Sequence, residues 1–307
     1  MNNRILPVLL LTALAPIAWG TTYAVTTEFL PAGHPLFAAL MRSLPAGLLA
    51  LLLSRRLPRG AWWGKAAVLG VLNIGAFFPL LFLAAALLPG GVAAAVAGAQ
   101  PLVVLLLSAL VLQERAKAGA VVIAVLGAVG VGMVVLGPAA SLGPIGVAAA
   151  ISGTLATSFG IVLTKKWGRP EGVGPVGYAG WQLTAGGLVL LPAVLLFEGA
   201  PTSVSPTGVG GYLWLGTVGG LIAYTLWFRG IVRLPAFAVG LLSLLSPVTA
   251  TLIGVLVLDE TFTALQAAGL VLTLLALLSG QLLAMRSPGQ AASPASPERA
   301  AREPVGA

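Results

Sequence analysis

Arg42 is the residue of this chain best placed to do chemistry. Of sixteen basic residues it alone falls inside a long apolar run, seven positions past Pro35, or ~10 Å along a helix. A charge near a bilayer centre costs roughly 2.5–3.5 kcal/mol, so it must face a cavity or a partner. One reading makes Arg42 a ligand for an anionic substrate group, because guanidinium pairs bidentately with carboxylate. The other has it snorkel outward toward Glu28. Gln182 holds the matching place in the second half of the chain. With Asn73, Gln100, Thr184 and Ser246, it either lines a polar pocket or ties two helices together. Trp19, Tyr23, Phe77, Phe78, Trp181 and Tyr224 lie deep in apolar runs, where amphipathic rings line a pocket or pack. Trp62, Trp63, Trp167 and Trp227 read as anchors at the inner surface.

Other chemistries are poorly supplied. Every acid (Glu28, Glu114, Glu171, Glu198, Asp259, Glu260, Glu298, Glu303) lies at an expected helix end, in a loop or in the tail. No carboxylate sits mid-run to relay protons. There is one histidine, His34, and no cysteine, so neither a metal centre nor a disulfide is expected. Nucleophile–base sets, phosphate loops and metal spacings are missing. The expectation is no enzyme, no cofactor and no metal. The binding candidates are Arg42, Gln182, Trp19, Tyr23, Asn73, Phe78, Gln100, Trp181, Tyr224 and Ser246.

The elements that must carry them are membrane helices. The 307 residues are 58% hydrophobic and only 8% charged, against roughly 25% charged in soluble domains. Ten runs approach the ~20 apolar residues a span needs: 5–27, 35–54, 66–88, 92–112, 118–136, 144–164, 175–197, 208–228, 236–258 and 264–285. The first resembles a signal peptide, but Pro16 follows the cleavage-like Ala13-Leu14-Ala15 and the run continues, so an uncleaved span is expected. The tail 286–307 is rich in Ala, Pro, Ser, Glu and Arg and is expected to be disordered. With the N-terminus inside, fifteen basic residues fall in cytoplasmic segments: Arg4; Arg55, Arg56, Arg59 and Lys65; Arg115 and Lys117; Lys165, Lys166 and Arg169; Arg229 and Arg233; and Arg286, Arg299 and Arg302. That bias predicts a multi-pass protein of a bacterial inner membrane with both termini cytoplasmic. The net charge of +8 is scattered between apolar runs and forms no basic face, so nucleic acid is not an expected partner.

Pro89–Glu114 and Pro235–Glu260 repeat one plan at an offset of 146, each with a mid-run proline (Pro101, Pro247) and a Leu-Val-Leu ending before Glu114 or Glu260. The mid-run prolines read as helix kinks that loosen the Ala97 and Ser243 carbonyls. Pro35–Gly47 falls on Pro175–Gly187 at an offset of 140, setting Arg42 opposite Gln182, while Phe78 and Phe82 fall on Tyr224 and Phe228 at 146. Five spans per copy would turn the second copy upside down, a plan recurrent in secondary transporters. The expected fold is all-α: ten transmembrane helices forming one bundle from two inverted five-helix repeats, 1–141 and 142–285.

Trp19-Gly20-Thr-Thr-Tyr23, Pro35 with Arg42, and the two endings at Glu114 and Glu260 resemble the drug/metabolite transporter superfamily, in particular its ten-span EamA-type members. The resemblance covers about residues 5–285. It implies export or exchange of small metabolites, often amino acids or related compounds, through a central cavity between repeats. Carboxylate-bearing substrates suit Arg42. Lipophilic cations, or an uncoupled channel, are the rival expectations. The expected partners are a small-molecule substrate and the lipid bilayer, with a homodimer left open.

Overall fold

The computed structural model describes residues 5–87, 96–114, 117–135, 143–257 and 263–285. All regular structure among the described residues is helical. Among the described residues, eight helices are long and apolar enough to cross a membrane: Ile5–Phe29, Pro35–Ser54, Trp62–Ala84, Pro144–Trp167, Pro175–Phe197, Pro206–Arg233, Ala236–Val257 and Ala264–Ala284. Gln100–Val111 and Ala118–Met133 are shorter apolar helices. They fall on the expected runs 92–112 and 118–136, both of which border undescribed residues. The tail 286–307, Glu260 and the Tyr23 side chain lie outside the described residues.

In chain order the elements are α1 (Ile5–Gly20), α2 (Thr22–Phe29), α3 (Pro35–Ser54), α4 (Trp62–Gly70), a π-helical turn (Val71–Gly75) and α5 (Phe77–Leu87). Then come α6 (Gln100–Val111), α7 (Ala118–Val135), α8 (Pro144–Trp167), α9 (Pro175–Phe197), α10 (Pro206–Trp214) and a second π-helical stretch (Leu215–Ile222). The chain continues through α11 (Ala223–Arg233), α12 (Ala236–Leu242), α13 (Leu245–Val257) and α14 (Ala264–Met285). Prolines 35, 144, 175 and 206 each open a helix, where a missing N–H costs nothing and φ is preset.

The two halves share these boundaries. Adding 140 to α3 gives the first twenty residues of α9; adding 146 to α5 gives α11, and to the first π-helical turn a segment within the second. Contacts follow the same exchange. α5 packs on α8 as α11 packs on α1, and α3 meets the second π-helical stretch as α9 meets the first.

Close antiparallel packing is set by small residues. A methyl at Gly187 would lie 2.7 Å from Leu44 Cβ, and one at Gly47 2.5 Å from Thr184 N, so α3 and α9 touch backbone to backbone. α7 and α14 do likewise, with Gly130 against Thr273. Such contact gains van der Waals attraction where lipid supplies no hydrophobic drive between helices. One end of the α3–α9 pair is fixed by Glu198, whose carboxylate accepts the Leu36 and Phe37 N–H groups at 2.9 and 2.7 Å. The anion thus meets the positive end of the α3 dipole.

Pro101 and Pro247 act otherwise than as kinks within continuous helices. The α-helical bonding is interrupted just ahead of each by a turn, at Ala99 and at Ser243–Leu244, while Ala99 and Ser243 keep right-handed helical dihedrals. Each proline then sits in the first turn of a new helix, where no i−4 bond is lost. The broken segments touch, since a methyl at Gly240 would meet Pro101 Cα at 3.3 Å. Trp227 also departs from expectation. It is buried, its ring 5.1 Å from that of Trp19, so it packs in the core and does not anchor at the surface.

Candidate functional site

Arg42 lies on the buried face of α3, 5% exposed. Its Nε and Nη2 donate to the Gly219 carbonyl at 3.3 and 3.2 Å, and Nη1 donates to Thr22 Oγ1 at 3.3 Å. No acidic side chain is among its partners in the described residues, and Glu28 is exposed near Thr27. The snorkelling alternative is therefore not the arrangement found.

The second π-helical stretch supplies the acceptor. The Ala223 N–H, which would close an α-helical bond to Gly219, bonds Val218 and Gly220 instead. The Gly219 carbonyl is thus not taken by Ala223 and accepts side-chain donors: Arg42 twice, and Trp19 Nε1 at 2.9 Å. A carbonyl has two lone pairs, so three donors crowd it. The Arg42 bonds are longer than the 2.7–2.9 Å usual for charge-assisted pairs. A guanidinium carries five N–H donors, and the contacts above use three.

Three rings surround this cation. The Arg42 Cζ is 5.4 Å from the Phe78 ring centre and 6.0 Å from those of Trp19 and Tyr224. Phe78 and Tyr224 are the pair that the 146 offset superposes, so equivalent rings from the two halves flank one charge. Ring faces attract a cation by roughly 0.5–2 kcal/mol. Trp19 and Tyr224 pack at 4.9 Å between ring centres.

Gln182 and Asn73 form the counterpart. Asn73 Nδ2 donates to Gln182 Oε1 at 2.9 Å, and both are buried. Position 73 corresponds to 219 at the 146 offset, as 42 does to 182 at 140. The same helix junction therefore occurs twice, once as arginine on a backbone carbonyl and once as a neutral amide pair. Gly160 gives the Asn73 amide its space, for a methyl there would overlap Asn73 Oδ1.

Of the expected site residues, Arg42, Trp19, Phe78 and Tyr224 come together, and Asn73 and Gln182 pair with each other. Trp181 does not join the cage. Its Nε1 donates to the Arg56 carbonyl at 2.7 Å and its ring packs near Trp62 and Tyr178. Gln100 opens α6, and Ser246 lies in the first turn of α13, where the Ser246 carbonyl would stand 2.7 Å from a methyl at Gly20. Thr22 and Gly219 were not anticipated. The 146 offset pairs Gly219 with Asn73, the one sequence signal that could have found it.

Glu114 belongs to a second cluster. Leu-Val-Leu-Gln-Glu ends α6 with Gln113 in left-handed geometry (φ 57°) and the Glu114 N–H on the Ser108 carbonyl, a Schellman-type stop. The half-buried Glu114 carboxyl is held above the usual carboxylate range by burial, an effect the Lys165 ammonium partly offsets. Lys165 Nζ in turn donates to the Leu234 and Val232 carbonyls at 2.7 and 3.3 Å, capping the C-terminal end of α11.

Known proteins were compared with this chain. A family model described as the EamA-like transporter family matches residues 6–136 and 144–279. Protein PecM of Dickeya dadantii is 45% identical over 89% of this chain and 92% of its own length. A WAT1-related chloroplastic protein of Arabidopsis thaliana is 26% identical over 84% of this chain and 66% of its own. An uncharacterized transporter of Bacillus subtilis, YwfM, is 27% identical over 86% and 90%. One solved crystal structure superposes with a TM-score of 0.77 at 23% identity, covering 92% of this chain and 99% of the other. That last likeness bears on the fold alone.

Proposed function

The chain belongs to the EamA-like transporter family, and from that premise we propose that it exports or exchanges small carboxylate-bearing metabolites, amino acids or related compounds, by alternating access. The observation that carries this reading is Arg42: a buried cation, caged by rings, held only by long bonds to neutral oxygens. A carboxylate entering the cage can take the unused N–H donors and form shorter bonds than the crowded Gly219 carbonyl does. A lipophilic cation would meet a cage whose centre already holds a positive charge.

The same proposal includes ten spans in two inverted repeats, 1–141 and 142–285, in a bacterial inner membrane with both termini in the cytoplasm. The shared element boundaries and exchanged contacts support it. Motion is expected where α12 breaks before α13 and where Ala99 precedes α6, because interrupted helices at a repeat interface need little rearrangement to rock. The chain has no cysteine, so Arg59→Cys and Ser203→Cys can each be labelled alone. They should react from opposite sides of the membrane; reaction from the same side defeats the topology.

The functional test is a thermal-shift panel on protein purified in a maltoside detergent. A carboxylate ligand at a hundred times its Kd adds ~2.7 kcal/mol of stability. Stabilisation by carboxylates, lost in Arg42→Ala, is expected. Stabilisation by lipophilic cations alone, or carboxylate binding untouched by Arg42→Ala, sinks the reading.

A further inference from the structure

A second polar site lies away from the Arg42 cage. Arg169, Arg229 and Arg233 line one cleft together with Tyr178. Arg169 is in the turn after α8, Arg229 and Arg233 are one turn apart on α11, and Tyr178 is in the first turn of α9. The cleft is open at its mouth, and its floor encloses ≈ 20 Å³, the space of about one water. On the orientation proposed above it opens to the cytoplasm.

Basic residues at an inner surface are ordinary, and most fan out toward lipid headgroups. These converge instead. Burial pushes the Arg169 guanidinium below its usual range, and the charges of Arg233 and Arg229 push it further the same way. No acid lines the cleft among the described residues; Glu171, two residues from Arg169, is exposed. Three like charges on one concavity repel one another until an anion enters. The second observation is Tyr178. It is 1% exposed, and its hydroxyl, beside Thr164 Oγ1, has no hydrogen bond of normal geometry among the described residues. A buried hydroxyl without a well-formed bond is costly, and Tyr178 belongs to the wall of the arginine cleft. The cleft also lies at the N-terminal end of α9, where Pro175 forms part of its wall and the helix dipole favours negative charge.

We propose that this cleft binds a phosphate group, with Arg169, Arg229 and Arg233 forming charged bonds to its oxygens and the Tyr178 hydroxyl donating a further one. Guanidinium matches phosphate geometry, and three acceptor oxygens suit three convergent donors better than the two of a carboxylate do. The phosphate comes either from the headgroup of an anionic inner-leaflet lipid or from a free phosphate in the cytoplasm. The site is independent of Arg42.

Both sources can be tested on the full chain, delipidated in a maltoside detergent. One arm adds inorganic phosphate, with chloride at matched ionic strength as its control. The other adds phosphatidylglycerol, with phosphatidylcholine as its control. The readouts are the unfolding midpoint and, for lipid, retention in native mass spectrometry. A rise in the phosphate arm identifies a free solute; a rise confined to phosphatidylglycerol identifies the headgroup. In either case Arg229→Gln with Arg233→Gln should weaken binding about tenfold or more, the scale of one lost charged hydrogen bond. Arg59→Gln with Lys166→Gln, which removes equal charge elsewhere on the same side, should leave binding unchanged. If the double variant does not fold, the exposed Arg233→Gln and the ring-preserving Tyr178→Phe carry the test, each expected to weaken binding several-fold. No shift in either arm, or equal loss in the cleft and control variants, overturns the proposal.

Discussion

The junction of α3 with the second π-helical stretch and that of α9 with the first occupy equivalent places in the two halves, yet they are bonded differently. Asn73 and Gln182 meet at 2.9 Å, as neutral amides should. Arg42 reaches Gly219 only at 3.2 and 3.3 Å, on a carbonyl that Trp19 also claims. One junction closes on a neutral bond of ordinary length and holds helices together, although Gln182 Nε2 has no partner among the described residues. The other keeps a charge underpaired inside an apolar bundle, which is costly unless something else completes it. Corresponding places at the offsets of 140 and 146 thus share their geometry and differ in whether a charge or a neutral amide fills them.

That contrast breaks most directly at the charge. Arg42→Gln makes the first junction as neutral as the second, and a carboxylate would lose a charged contact worth roughly 1.5–3 kcal/mol. Transport of a carboxylate substrate in proteoliposomes should fall by ~10- to 100-fold in kcat/KM. Gln182→Ala should leave kcat/KM within a few-fold. Equal losses in the two variants would mean that the halves share the site and that the asymmetry is incidental.

The backbone beside Arg42 offers a finer cut. A methyl at Gly220 would overlap the Arg42 carbonyl and sit 3.1 Å from Ala46 Cβ, so Gly220→Ala forces α3 away. The expected cost is ~1–3 kcal/mol. At neighbouring Gly219 the nearest atom is Arg42 Nε at 3.5 Å, an ordinary contact, so Gly219→Ala should fold normally. Unfolding midpoints in one detergent separate the two; equal destabilisation would refute the described approach of the helices.

How much of this was legible in the sequence depends on which atoms carry it. Side chains with unusual placement were legible: Arg42 by its charge in an apolar run, and Phe78 and Tyr224 by superposition at the 146 offset. Most helix limits followed from apolar runs and prolines. Backbone chemistry was not legible. Nothing in Leu215–Ile222 marks a π-helical stretch in which the Ala223 N–H passes over Gly219. Trp227 failed for a related reason. Tryptophan suits both an interface and a core, and only the fold places it against Trp19. The convergence of Arg169 with Arg229 and Arg233 was hidden because sixty residues separate them, and by count they were ordinary inner-loop charges.

A smaller effect sharpens the neutral side of the comparison. Asn73→Leu keeps approximate volume but removes the donor to Gln182. Interhelical hydrogen bonds in membranes average about 0.6 kcal/mol and reach ~1.7 kcal/mol. Stability should drop within that range while transport persists. Were Asn73→Leu to abolish transport in a protein that stays folded, the amide pair would be part of the substrate site.

The smallest expected effect concerns Glu114 and tests whether its cluster is structural. Its pKa is raised by burial despite Lys165, so the folded chain holds that proton more tightly than the unfolded chain does. The stability this contributes is fully present below the ordinary glutamate range and is lost as pH rises through the raised value. Glu114→Gln cannot lose a proton. Its unfolding midpoint should therefore fall less than that of the parent protein as pH climbs from ~4 to ~8, with the two curves closest at the acid end. A parent curve that instead rises relative to the variant would mean the carboxylate is stabilised by Lys165 more than burial opposes it. The Leu-Val-Leu-Gln-Glu ending would then be an ion-pair latch between α6 and α8, and its repetition at Glu260 would call for a matching cation at the opposite face.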